Sequence, residues 1–283
     1  MFLINTTYKW LLTERFIYSF LACLWMVDPN SHKTMENFAQ GIIDVNSKIH
    51  ELNPDVLLYP IRGAIPIVDL LRIVDPSISG MNHEYVPASS TIENVDGILH
   101  DWFLNYLREQ HVLGEKQSFL GIDEVVSGQS VFRVARQLRR AIGDYANEKN
   151  VLFEDILEEI SYHSVGIQDM RHVRVGKPMD KNYSALVERG TLFPVEVMTN
   201  LVMDKPLLCP LKLARIPGHR YAKCYPVMTD YNVSREYIDF LTKFAHEIGQ
   251  DISSVSLQSP ARIRNSERFL PEKYHEIGRE ILV

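Results

Sequence analysis

The chain has 283 residues, of which 46% are hydrophobic and 23% charged, a composition typical of a globular protein that buries a sizeable core. The length allows one large domain, or one domain with a substantial appendage. The formal net charge of −6 argues against a general nucleic-acid binder. Three cysteines lie far apart, at Cys23, Cys209 and Cys224. They form no metal-ligand or disulfide spacing, which favours a reducing, cytoplasmic location.

The first 53 residues are predicted to form a helical segment. An apolar run over 16–27 is about twelve residues long, whereas a helix needs roughly 20 to cross a bilayer. No small-x-small cleavage site follows the run, so neither a membrane span nor a signal peptide is predicted. We expect a buried helix over 11–27 and a second helix over 33–52, with Ser31 as its N-cap.

The first strand is predicted over 55–60, where apolar residues dominate. It leads into Arg62 and Gly63, and a helix over 68–73 follows. Arginine donates charge-assisted hydrogen bonds, and glycine lets a ligand approach the backbone, so this short loop is a candidate anion site. A surface arginine in a tight turn is the alternative.

The next elements are a strand over 84–87 and a helix over 95–110 with a clear apolar face. A small polar loop over 89–91 lies between them. Its hydroxyl groups either contact a ligand or belong to a plain turn or helix cap.

The most informative stretch is 118–130. Its apolar start is typical of a short buried parallel strand, which is expected to end at two adjacent acids, Asp123 and Glu124. A helix over 131–147 follows. The turn between strand and helix consists of Ser127, Gly128, Gln129 and Ser130. We expect Ser127 or Ser130 to cap the helix, and Gly128 to let backbone N–H groups turn inward.

This strand–turn–helix unit indicates a ribose 5-phosphate site. Free N–H groups and the helix dipole at a helix N-terminus favour a phosphate. The adjacent acids can accept hydrogen bonds from the vicinal hydroxyl groups of a sugar. The alternative is structural, because many doubly wound α/β proteins place an acid, a serine and a glycine at the end of a strand.

The remaining predictions are coarser. A helix over 153–160 and a strand over 160–167 are expected, and His163 in that strand either titrates or is simply packed. Two basic segments, 169–181 and 212–223, are solvated loops by default, with an anionic substrate or RNA as the alternative. A solvated helix face is expected for Arg133, Arg136, Arg139 and Arg140.

The last third of the chain is predicted to be less regular. Residues 195–203 form one more strand or a short helix, but several prolines make 190–228 irregular. A helix is expected over 231–248, capped by Asn232 or Ser234.

The two candidate loops resemble the ligand loops of the type I phosphoribosyltransferases. The stretch 118–130 matches the family's loop for phosphoribosyl pyrophosphate (PRPP): an apolar strand, two acids, two apolar residues, then Ser-Gly-x-Ser. The loop at Arg62 and Gly63 is similar to the family's pyrophosphate loop, and the two loops occur in the family's order. Three residues rather than four separate the acids from Gly128, and this loop carries no further acid. A helix is predicted where the family has a flexible lid.

This resemblance implies a role for each loop. Asp123 and Glu124 would hold the ribose 2- and 3-hydroxyls, and Arg62 together with Mg²⁺ would neutralise the departing pyrophosphate; no residue is directly assigned as a metal ligand. The 5-phosphate would be bound by Ser127, Gly128, Gln129 and Ser130. The pyrophosphate would be bound by Ile61, Arg62, Gly63 and Ala64. The candidates for contact with the base are Gln168 and Asp169.

The sequence therefore predicts an α/β protein with a mostly parallel, doubly wound sheet, phosphoribosyltransferase-like and Rossmann-like, with extra helical and irregular segments at both ends. We expect an N-terminal helical segment (1–53), a core (54–170) and a C-terminal cap or hood (171–283). The favoured function is phosphoribosyl transfer between PRPP or a nucleotide and a nucleobase-like acceptor. The alternatives are a non-catalytic PRPP or nucleotide-binding regulator and a ribosyl-phosphate hydrolase. No membrane or nucleic-acid partner is expected, and a homodimer is compatible with this prediction.

Overall fold

A computed structural model describes residues 32–171, 181–204, 209–219, 223–251 and 257–281. The predicted helix over 11–27 and most of the basic segment 169–181 lie outside these ranges. The strands are β1 (Val56–Pro60), β2 (Asn82–Val86), β3 (Gln117–Val125), β4 (Ile160–Asp169), β5 (Leu192–Val197), β6 (Leu211–Arg215) and β7 (Cys224–Tyr231). The helices are α1 (His32–Leu52), α2 (Ile65–Val74), α3 (Val95–Gln110), α4 (Gln129–Lys149), α5 (Phe153–Glu159), α6 (Lys181–Glu188), α7 (Leu201–Asp204), α8 (Arg235–Glu247), α9 (Pro260–Asn265) and α10 (Glu272–Ile281).

The central sheet confirms the predicted α/β class. Its five strands lie in the order β2-β1-β3-β4-β5, and every neighbouring pair is parallel. All five residues of β1 are buried, as expected for a strand that helices cover on both faces. Buried apolar side chains from α1, the sheet and the C-terminal helices contact one another in one core. Among the helices within the described ranges, none has both the length and the apolar character needed to cross a bilayer.

Strand β3 is longer than its apolar residues suggest. It continues through Asp123 and Glu124, which lie opposite Gly166 and Ile167 of β4. The strand ends at Val125, one residue beyond Glu124, so the predicted position of the two acids at the end of the strand is confirmed. Backbone pairing with β4 extends the strand, and it holds both acids on rigid backbone rather than on a loop.

The prediction of irregular structure over 190–228 is wrong. Strand β5 joins the central sheet, and β6 and β7 form a separate antiparallel pair. Pro226 is tolerated in β7 because a strand in a two-stranded sheet needs hydrogen bonds along one side only. Helix α8 begins at Arg235 rather than near 231, since the Ser234 hydroxyl caps it by accepting from the Tyr237 N–H at 3.1 Å.

The C-terminal segment packs against strand β2 at the edge of the sheet. The Ser266 hydroxyl accepts a hydrogen bond of 2.9 Å from the Tyr85 N–H and donates one of 2.6 Å to Glu84. The Ser266 carbonyl accepts from the Trp102 indole at 2.8 Å. Arg268 pairs with Glu84 at 3.1 Å. One serine therefore joins β2, α3 and the C-terminal segment.

Replacing Ser266 with alanine is expected to lower the free energy of unfolding by about 1–3 kcal/mol, because it leaves the buried Tyr85 N–H without its acceptor. Urea unfolding measures the loss. Ser47→Ala is the matched control, since the Ser47 hydroxyl only bonds back to its own helix on the exposed face. Equal stability of the two variants would contradict the structural role of Ser266.

Candidate functional site

A cavity of about 250 Å³ lies at the carboxyl ends of β1, β2 and β3. The chain leaves β1 for β2 on one side and returns to β3 on the other, so the strand order reverses between β1 and β3. Open α/β sheets bind ligands at such switch points. The wall is formed by residues 60–63, 88–90, 123–124, 126–127 and 129–130, and by Arg133. Both loops singled out in the sequence therefore meet in one cavity.

The loop after β1 contributes three of the four predicted pyrophosphate residues. Ile61, Arg62 and Gly63 line the cavity; the Arg62 side chain is exposed and the Ile61–Arg62 peptide bond is cis. Ala64 is fully buried behind them, at the N-terminus of α2. A Cβ atom at position 63 would lie 2.5 Å from Oε1 of Glu124. Only glycine therefore lets this carboxylate approach the loop.

Asp123 and Glu124 both line the cavity from opposite faces of the sheet, as successive residues of a strand do. The Ser130 hydroxyl donates to Oδ2 of Asp123 at 2.5 Å. Glu124 lies against Gly63 and accepts a hydrogen bond of 3.4 Å from the Asn200 side-chain amide. The two acids are thus held by different loops and can contact different groups of one ligand.

Both carboxyl groups have raised pKa values. Burial raises the pKa of Asp123 to about 7, although the Ser130 hydroxyl, the Glu124 N–H and the Arg133 guanidinium act in the opposite direction. Burial, and then the charge of Asp123, raise the pKa of Glu124 to about 8 against the hydrogen bond from Asn200. A ligand that brings hydroxyl donors or a cation favours the ionised forms. Such perturbed acids in a cavity are typical of functional sites.

The turn 127–130 forms the N-terminus of helix α4. Gly128 occupies the N-cap position with a positive φ of 79°. The first N–H groups of a helix have no partner inside it, and the first bond of this kind runs from the Phe132 N–H to the Gly128 carbonyl at 3.1 Å. The N–H groups of 129–131 and the helix dipole therefore favour an anion at this end of the cavity.

The predicted serine cap of α4 is wrong. The helix start has no side-chain cap hydrogen bond, and the Ser130 hydroxyl is turned towards Asp123 instead. Ser127 accepts only a long hydrogen bond of 3.5 Å from the Gln129 N–H. The Ser130 hydroxyl donates to Asp123 because a buried carboxyl group without a hydrogen-bond donor costs more free energy than a helix end that water can reach.

Tyr183 of α6 holds the turn 127–130 from behind. A Cβ atom on Gly128 would meet its side chain at 2.4 Å, and one on Gly166 would lie 3.4 Å from its hydroxyl. That hydroxyl donates to Gln168 at 3.3 Å. Gly128 thus leaves room for this aromatic side chain, whereas a Cβ atom on Gly166 would first meet Cγ2 of Val125, at 2.7 Å.

Arg133 and Asn200 are contacts of the site that the sequence did not reveal. Arg133 was expected in a solvated face, but it lines the cavity and donates to the Ala88 carbonyl at 3.0 Å. Asn200 is buried, and besides its bond to Glu124 it donates its backbone N–H to Asp169 at 3.0 Å. Neither residue carried a signal in the sequence, since Arg133 lies in the second turn of α4, beyond the turn that is expected to face a ligand.

Gln168 and Asp169 do not line the cavity. Gln168 accepts from Tyr183, and Asp169 is fully buried and receives two hydrogen bonds of 3.1 Å from Nε of Arg171. Burial raises the pKa of Asp169, but the hydrogen bonds from Arg171 and the Asn200 backbone outweigh it and hold the pKa below its ordinary value. These contacts give both residues a part in positioning the neighbouring loops.

Of the other polar candidates from the sequence, Ser89 and Ser90 line the cavity and His163 does not. The Ser89 hydroxyl pairs with that of Thr91 at 2.8 Å in a local turn. The His163 ring stacks on Phe193 with 5.9 Å between ring centroids and lies outside the cavity, as expected for a packed histidine.

Comparisons with known proteins find several similar solved structures. The HGPRT-ase from Leishmania tarentolae in complex with GMP is 12% identical over 59% of this chain and 78% of its own, with a TM-score of 0.27. The orotate phosphoribosyltransferase from Francisella tularensis is 12% identical over 77% of this chain and 78% of its own, also with a TM-score of 0.27. No protein-family model and no curated protein matches the chain. The α/β class follows from the central parallel sheet described above.

Proposed function

We propose that the cavity binds PRPP or a nucleotide through its ribose 5-phosphate, and that the chain transfers the phosphoribosyl group to or from a nucleobase-like acceptor. The supporting observation is the meeting of three features in one cavity at the switch point. These are the loop with Arg62 and Gly63, the acids Asp123 and Glu124, and the N-terminus of α4. Each matches one part of the ligand: a pyrophosphate, a diol and a terminal phosphate.

The N-terminus of α4 and the acids would bind the two ends of a ribose 5-phosphate. The phosphate would accept hydrogen bonds from the N–H groups of 129–131. Asp123 and Glu124 would accept from the ribose hydroxyls. Because Ser130 already donates to Asp123, a phosphate at this turn would compete with the acid for the serine proton.

In the proposed transfer the protein positions the reactants and balances charge. A bond forms between the acceptor nitrogen and the anomeric carbon while the bond from that carbon to pyrophosphate breaks. Pyrophosphate leaves with the bonding electrons, and the proton that the acceptor ring loses passes to solvent. Positive charge develops on the ribose ring, near the acids, and negative charge on the leaving group, where Arg62 would donate hydrogen bonds. No side-chain nucleophile is needed.

The donor set fits Mg²⁺ that arrives with the ligand. Within the described ranges there is no group of three or more His, Cys, Asp or Glu side chains suited to a metal ion. Mg²⁺ is commonly bound by one or two carboxylates together with substrate phosphates, and Asp123 and Glu124 would supply the carboxylates. The chemistry that Mg²⁺ provides when bound is charge neutralisation on phosphate oxygens.

The test is calorimetric titration with PRPP and Mg²⁺, followed by a pyrophosphate-release assay over a panel of nucleobases. Binding with base-dependent release is expected. Binding without release would favour a PRPP or nucleotide-binding regulator. Turnover of a nucleotide without PRPP or pyrophosphate would favour a ribosyl-phosphate hydrolase. No binding of any of these ligands would contradict the proposal.

Arg62→Ala is expected to weaken PRPP binding by about 10- to 100-fold, since it removes a charge-assisted donor from the pyrophosphate end. Affinity for ribose 5-phosphate, which lacks the pyrophosphate, should change little. Calorimetry with both ligands measures the difference, and Arg235→Ala, an exposed arginine outside the cavity, is the control. Equal losses for both ligands would contradict a pyrophosphate role for Arg62.

A further inference from the structure

The loop after β2 forms one wall of the candidate site, and the backbone carbonyl groups of this wall all bond to the protein. Residues 88–91 are called the wall segment here. Their four carbonyl groups accept hydrogen bonds of 3.0, 3.0, 2.7 and 2.9 Å, in chain order, from Arg133, the Ile92 N–H, Lys223 and the Cys224 N–H. The wall segment is therefore held by α4 on one side and by the start of β7 on the other.

The wall segment leaves hydrogen-bond donors for a ligand. Among the described residues, the N–H groups of Ser89 and Ser90 have no acceptor, and the Ser90 hydroxyl has no partner there either. Both serines line the cavity. Because every carbonyl group of the segment is already bonded, the backbone groups that remain for a ligand are donors. Successive backbone N–H groups in a turn form concavities that bind anions.

Arg133 adds positive charge beside these donors. Its Nε pairs with Asp96 at 3.2 Å and its Nη1 donates to the Ala88 carbonyl, so the guanidinium group is held against the wall segment. In the part of the chain that the structure describes, its Nη2 has no acceptor. Asp96 also pairs with Arg136 at 2.8 Å, so one carboxylate serves two guanidinium groups and positive charge remains. The charge and the free donors together favour an anion at this wall.

We propose that the wall segment and Arg133 form an anion subsite that binds the terminal phosphate of a diphosphate group. The sheet order β2-β1-β3 places the loop 61–63 between the wall segment and the acids of β3. A diphosphate whose first phosphate lies at this loop would therefore extend its second phosphate towards the wall segment. The N–H groups of Ser89 and Ser90 and the Nη2 of Arg133 would donate to it. The choice of a diphosphate rests on the proposed function, whereas the subsite itself requires only a phosphate-type anion.

The test is calorimetric titration of the full chain with inorganic pyrophosphate, PRPP and ribose 5-phosphate, each with Mg²⁺. Arg133→Met keeps a long side chain without the charge, and it is expected to weaken the binding of pyrophosphate and of PRPP by about 10- to 100-fold. Affinity for ribose 5-phosphate, which has no diphosphate, should change little. Arg133→Lys restores the charge and is expected to recover part of the loss, since the ammonium group can still donate to the phosphate.

Matched variants separate the anion subsite from effects on the fold. Arg136→Met removes the other guanidinium group that pairs with Asp96, but Arg136 does not line the cavity, so wild-type affinities are expected. Ser90→Pro removes the free N–H together with the hydroxyl, whereas Ser90→Ala removes the hydroxyl alone. The proline variant is therefore expected to lose more affinity for pyrophosphate than the alanine variant. Circular dichroism and thermal unfolding check that each variant folds.

The subsite and the proposed transfer fail through different measurements. A wild-type chain that does not bind pyrophosphate would overturn the subsite. An Arg133→Met variant with wild-type affinity for pyrophosphate would also overturn it, as would one that loses affinity for ribose 5-phosphate by the same factor. Pyrophosphate binding that depends on Arg133, without base-dependent release from PRPP, would support the subsite and contradict the transfer.

Discussion

The Glu124→Gln variant is expected to be more stable than the wild-type chain above pH 8 and to bind PRPP about 10- to 100-fold more weakly. In the unfolded chain this carboxyl ionises near its ordinary pKa of 4.5, whereas in the folded chain it keeps its proton up to about pH 8. Between these values the folded state holds a proton that the unfolded state has lost. The free energy of unfolding therefore falls as the pH rises, and it levels off above pH 8.

Glutamine removes this loss because it is neutral at every pH. The gain above pH 8 is on the order of 1–4 kcal/mol, since a tenfold change in an ionisation constant corresponds to about 1.36 kcal/mol. Asp123 likewise lowers the free energy of unfolding as the pH rises from its ordinary pKa of 3.8 to its raised pKa of about 7. Urea unfolding at about pH 5 and about pH 9 measures the slope for the wild type and the variant. Glu115→Gln, an exposed carboxylate outside the cavity, should leave the slope unchanged.

A gain in the free energy of unfolding together with a loss of affinity for PRPP would show that Glu124 destabilises the fold and contributes to ligand binding. If the free energies of unfolding of the wild type and of Glu124→Gln change with pH in the same way, the Glu124 carboxyl does not stay protonated in the folded chain. If the variant keeps the wild-type affinity for PRPP, Glu124 does not contact the ligand.

The Gly128→Ala variant is expected to lose about 2–4 kcal/mol of stability and its affinity for phosphate-containing ligands. Position 128 has a φ of 79°, which costs an L-residue backbone strain. The added Cβ would also meet the Tyr183 side chain at 2.4 Å, so either α6 or the turn must move. Movement of the turn displaces the N–H groups that would bind the phosphate.

Gly114→Ala is the matched control for this variant. Gly114 has a φ of 86° but no atom within 4 Å of the added Cβ, so it isolates the backbone cost, on the order of 1 kcal/mol. A double-mutant cycle with Tyr183→Ala should show that the two substitutions together cost at least about 1 kcal/mol less than their sum. Additive effects would mean that Tyr183 does not set the position of the turn.

The regular elements were predictable where periodicity is strong. Helix α3 runs over 95–110 as predicted, because one face of it is continuously apolar. The meeting of Arg62 and Asp123 in one cavity also followed from the sequence, since the carboxyl ends of parallel strands lie at one edge of a sheet. Their roles towards a ligand remain predictions.

The contacts that position the site could not be predicted, because they join residues far apart in the chain. Asn200 donates to Glu124 across 76 positions. Tyr183 fits against Gly128 only because α6 packs there. Arg133 belongs to a series of arginines that looks uniformly solvated, and only the fold shows that its first member reaches the cavity. Local patterns specify elements, whereas these contacts depend on how the elements pack.

The hydrogen bond from the Tyr85 N–H to Ser266 has a consequence for solubility. Strand β2 is an outer strand of the sheet, and outer strands with unpaired N–H and C=O groups pair with those of other molecules and promote aggregation. Ser266 occupies one of these groups, and the segment around it covers the strand. A chain cut before this segment would expose the strand, so aggregation is the expected result even where the remaining core still folds. The segment around Ser266 therefore protects strand β2 from pairing with strands of other copies of the chain.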